Sequence, residues 1–194
     1  MRNTVKSLAL VTALFFSIQG FAQLKIGLAD PFIADLKKII SSFPDHFHDY
    51  RGGVIVSSPQ LTNYTCNLKI SGAEEATITT YSGKKEIASW QAILLTTENF
   101  DKAKQKFRSL YNQINNISIA SSVKIHAKYD APVEENKFTS ILFYPSAETG
   151  IWSLVRTELL LEFNAPMEWK IRVMVYDMER SDKEETGVRD GGIQ

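Results

Sequence analysis

The chain has 194 residues, with 22 basic and 22 acidic side chains, 44% hydrophobic residues and one cysteine. That balance leaves no surplus of positive charge to neutralise phosphates, so nucleic acid is not an expected partner, and no basic cluster marks an anionic membrane surface. A lone cysteine forbids an intrachain disulfide, so the fold must rest on its hydrophobic core.

Residues 1–22 read as a signal peptide. Arg2 and Lys6 make a basic start, Leu8 to Ile18 is an apolar run too short to span a bilayer, and Ala22 puts a small residue before Gln23. Residues 23–177 are then expected to form a single α+β domain. Residues 178–194, charged and with little to bury, are expected to be a disordered tail. The product would be exported, periplasmic or secreted, with no transmembrane segment once the signal is removed.

A first helix is predicted over 30–43. Asp30 can cap the free amides, Pro31 sits where no donor is needed, and Phe32, Leu36, Ile39, Ile40 and Phe43 form one apolar stripe. Asp35, Lys37 and Lys38 are assigned to the opposite, wet side. The polar run from Asp45 to Gly53 follows, with Val54-Ile55-Val56 read as a short strand or as support for the turn. Three strands are predicted near 63–71, 76–82 and 86–96, divided by the turn sequences Ser71–Glu74 and Ser82–Lys85. Cys66 would lie on one strand face with Tyr64, Leu68 and Ile70, as a small buried hydrophobe.

A second helix is predicted after Thr97, with Thr97 as cap, a buried stripe of Phe100, Ala103, Phe107, Leu110, Tyr111 and Ile114, and an end at Asn115-Asn116. Strands near 122–129 and 138–144 come next, separated by a charged loop. The most regular stretch is Ile151 to Asp177, two extended runs around a turn. Pairing Phe163 with Trp169 sets Leu161 opposite Ile171, Leu159 opposite Val173 and Thr157 opposite Val175 on one face, with Glu162 opposite Lys170 on the other. A one-residue slip destroys both matches.

Short turns dictate antiparallel pairing, and each helix has one apolar face. The expected architecture is a two-layer α+β sandwich: a curved antiparallel sheet of six to eight strands with both helices packed on one face. A helix followed by a meander occurs twice, which suggests a duplicated unit.

The amino-terminal signal, the DYRGG box at Asp49–Gly53, FDKAKQKFRSLYNQI at Phe100–Ile114, KFTS at Lys137–Ser140 and the closing EWK and VYD segments resemble a family of small exported proteins from Bacteroidetes-type bacteria. The resemblance implies a bacterial source and export. It brings no activity and no site residues with it.

Candidate chemistry is sparse. His46 and His48 alternate on an extended segment, so their imidazoles can share a Zn²⁺ or Cu²⁺ ion with Asp49 or His126. A polar loop accounts for the pair equally well. Asp49, Tyr50, Arg51, Gly52 and Gly53 form a candidate ligand or partner-binding box. In its plainer reading it is a tight turn in which the glycines supply positive φ and Arg51 pairs with Asp49 or the sheet. Nucleophile elbows and phosphate-cradling glycine loops are absent from the sequence, and the adjacent carboxylate pairs fall in turns or the tail. Trp152, Leu160 and Met174 are assigned to the outer face of the last hairpin as a candidate partner surface. The sequence reads as a non-catalytic binding protein needing no cofactor, its partner another envelope protein or a second copy of itself. The alternatives are a carrier of a sugar or small hydrophobic ligand held between sheet and helices, and a metal-assisted hydrolase acting through His46 and His48.

Overall fold

A computed structural model describes residues 30–83, 86–120 and 122–179. The expected signal peptide, residues 1–22, and residues 180–194 of the expected tail lie outside the described residues.

Helix α1 (Pro31–Ser41) starts as its sequence dictates: the Asp30 carboxylate accepts from the Phe32 amide at 3.0 Å, and Pro31 fills the first turn. Its apolar stripe, Phe32, Leu36, Ile39 and Ile40, is buried. Strands β1 (Arg51–Ser57), β2 (Leu61–Cys66), β3 (Glu75–Tyr81) and β4 (Ile87–Thr97) form a meander. Helix α2 (Phe100–Ile114) follows, capped by Asn99 rather than Thr97: Asn99 Oδ1 accepts from the Lys102 amide at 2.8 Å. Asn116, at φ 68°, takes the left-handed conformation that turns the chain after the helix. Strands β5 (Ile125–His126) and β6 (Phe138–Pro145), the one-turn helix α3 (Ile151–Leu154), and strands β7 (Val155–Asn164) and β8 (Glu168–Asp177) complete the fold.

All eight strands share one open sheet in the order β1-β2-β3-β4-β8-β7-β6-β5, with every pairing antiparallel. The order is symmetric. Each helix-plus-four-strand unit lays its last strand at the centre, where β4 meets β8, and its first at an edge. The duplicated arrangement suggested by the sequence is thus present in the topology.

The register of β7 and β8 is the one read from hydrophobic alternation, Phe163 facing Trp169 and each pair following in step. Inward residues of the strands, among them Ile78, Trp90, Leu159, Leu161, Val173 and Val175, join the stripes of both helices in one hydrophobic cluster. One cluster containing both stripes and the inward residues of β2 to β8 places α1 and α2 on the same face, giving an α+β sandwich of two layers.

Four local expectations change. Asp35 is 8% exposed, not wet, and accepts from the Ser71 amide and hydroxyl at 3.0 and 2.7 Å and from Lys38 Nζ at 3.0 Å. Strand β2 ends at Cys66, which is half-buried, so Leu68 and Ile70 do not continue its face. Strand β5 has two residues instead of the eight expected. Ile151 to Leu154 is a helical turn, so Trp152 leaves the outer sheet face and packs, half-buried, beside the core.

Candidate functional site

The chain from Phe43 to Tyr50 is wound into two 3₁₀ turns, Phe43–Asp45 and His48–Tyr50, separated by left-handed residues His46 (φ 51°) and Phe47 (φ 63°). The cause is Phe47. Its ring is fully buried, edge-on to Phe43 at 6.3 Å, and burying a ring is worth enough to hold a non-glycine backbone in a costly conformation. Positive φ therefore falls at His46 and Phe47 and not at Gly52 and Gly53, which are extended within β1.

Arg51 anchors this turn to the sheet. One guanidinium nitrogen donates to the His46 carbonyl oxygen at 2.9 Å and to Glu86 Oε1 at 2.6 Å, and the group lies 5.7 Å over the Tyr64 ring. Arg51 thus pairs with Glu86, at the start of β4, rather than with Asp49. His48 Nε2 lies 3.2 Å from the same Glu86 oxygen. The hydrogen bond from Arg51 holds the Glu86 carboxyl below the usual carboxylate range.

The two histidines are not joined by a third ligand. His126 stands in β5, at the opposite edge of the sheet from β1, which over seven strand spacings is roughly 30 Å. Among the described residues no group of three or more His, Cys, Asp and Glu side chains comes together. Asp49 and Tyr50 instead line an open cleft of about 440 Å³ with Lys37, Lys38, Ser41, Ser42 and Asp45, on the outside of α1. The interior between sheet and helices, where a carried ligand was expected, holds the fully buried Trp90, Phe107, Phe143 and Leu159.

Leu160 and Met174 do lie on the outer sheet face, half-buried among polar neighbours. Leu160 faces Arg172 and Ser140, and Met174 faces Gln91 and Glu158. Glu162 faces Lys170 in register, but its carboxylate takes Arg172 on the diagonal. Across β2, β3 and β4 the same face presents Asn63, Thr79 and Ser89 in one row and Thr65, Thr77 and Gln91 in the next. Along each row its apolar residues alternate with polar ones, and the half-buried Leu142, Leu160, Met174 and Ile93 meet on successive diagonals.

The more exposed apolar surface is on β1. Val54, Ile55 and Val56 are 61%, 49% and 52% exposed. Strand β1 is terminal in the sheet order, and its pairing with β2 shifts between Arg51 and Val54 and again between Val54 and Val56. Those bulges break the in-out alternation, which is why three successive side chains reach solvent. Natural edge strands are normally shortened, charged, bulged or broken by proline, and of these devices β1 carries the bulges. At the other side β5 is two residues long and pairs only with Tyr144 and Pro145, so among the described residues Phe138 to Phe143 of β6 also lack a strand partner there. Strand β1 has seven residues, and no charged residue or proline lies between Gly52 and Ser58. Sequence reasoning took this run as a short strand or turn support and did not single it out as a surface, because it lacks period-two alternation. Its uncharged, β-branched composition at the exit of a Gly-Gly pair was the available signal.

No family model matches the chain, and neither do curated proteins or solved structures.

Proposed function

We propose that the protein is an exported binding protein that engages a protein partner by strand addition at β1. The observation that supports this reading is the seven-residue terminal strand with three consecutive exposed β-branched side chains and no charge after Arg51 at its start. An added strand takes up main-chain donors and acceptors along such an edge, while its side chains cover the apolar ones beside it. The Arg51–Glu86 contact and the buried Phe47 hold the amino end of β1 in place, so the edge is presented by the sheet and not by a free loop. Envelope location and the absence of catalysis are part of the same proposal.

A photo-crosslinking amino acid placed at Ile55 in the living source cell tests it. A discrete crosslinked species from position 55, and none from the similarly exposed Val133 or the more exposed Met167, is the expected result. Equal crosslinking from all three positions, or none from position 55, overturns the assignment.

A further inference from the structure

We draw no further inference here: the strongest candidate, the exposed apolar edge of β1 at Val54, Ile55 and Val56, ends the sheet with nothing in the structure to show what covers it.

Discussion

Gly52 of β1 runs so close to Thr65 of β2 that a side chain has no place between them. A Cβ on Gly52 would collide with Thr65 Oγ1, lie 2.6 Å from Asn67 Oδ1 and sit 3.0 Å from the Thr65 carbonyl oxygen. Asn67 cannot swing away without cost, since its Nδ2 donates to the Arg51 carbonyl at 2.9 Å. The neighbouring Gly53 meets nothing within 4 Å. The two glycines of the box therefore do different things: Gly52 allows close packing of the edge strand, and Gly53 leaves open space.

Substitution should separate them. Gly52→Ala forces the strands apart and is expected to cost about 1–3 kcal/mol, in the range of other overpacking changes. Gly53→Ala is expected to be neutral or stabilising by up to about 1 kcal/mol, because it restricts the unfolded chain without a clash. Urea unfolding of both variants decides. Equal losses would mean that β1 does not lie against β2 as described.

The last hairpin was legible in full because alternation, the turn and the burial of one face all fix the same register. Helix ends were legible to within a residue or two, since Asp30 and the Asn115-Asn116 pair act locally. What could not be read was set by contacts distant in sequence. Asp35 looks like a surface acid in a helical wheel, and only the return of the chain at Ser71 buries it. For Arg51 the sequence offered Asp49 or the sheet without naming a sheet residue, because Glu86 lies across β2 and β3 in the meander. The edge position of β1, which gives the candidate site its meaning, follows from strand order, and strand order leaves no mark on a local pattern. Trp152 was misplaced for a different reason: a single helical turn disguised as the start of a strand.

Asp35 ties α1 to the β2–β3 connection. Burial pushes its pKa up, but the hydrogen bonds from Ser71 and Lys38 outweigh that and hold it below its ordinary value. A carboxyl depressed in the folded state contributes stability above its unfolded pKa and loses it as pH falls through the folded one. Asp35→Asn should cost about 1–2 kcal/mol at pH 7, the scale of a buried hydrogen-bond network losing its charged acceptor. The gap from the wild type should narrow as pH falls through the folded-state pKa of Asp35, which lies below the ordinary aspartate value. A gap independent of pH would show that packing, not ionisation, is at stake.

Burial pushes the Cys66 thiol up, and its sulfur lies 3.5 Å from the Leu68 carbonyl oxygen, to which it can donate. A raised pKa leaves little thiolate at neutral pH, and the thiolate is the reactive form. Alkylation of the native protein by iodoacetamide at pH 7.5 should be severalfold slower than in urea, with the pH–rate curve displaced upward. Native reaction as fast as the unfolded control would return Cys66 to consideration as a nucleophile.

Glu86 is the point where the polar turn and the edge strand are joined, because Arg51 begins β1 and His48 opens the 3₁₀ turn just before it. Its carboxyl is depressed chiefly by the hydrogen bond from Arg51, so the contact stabilises the fold above the ordinary carboxylate pKa and fades as pH falls through the depressed one. The pair is partly open to water, which screens it, so Glu86→Gln should cost only about 0.2–1 kcal/mol at pH 7 and nothing in acid. Its local effect should be larger than its global one. With Arg51 released from one partner, the amino end of β1 opens more often, and hydrogen exchange at Arg51 to Val54 should accelerate while the central amides of β4 and β8 do not change. Exchange that accelerates equally across the sheet would mean that the Arg51–Glu86 contact supports the whole fold and has no special hold on its edge.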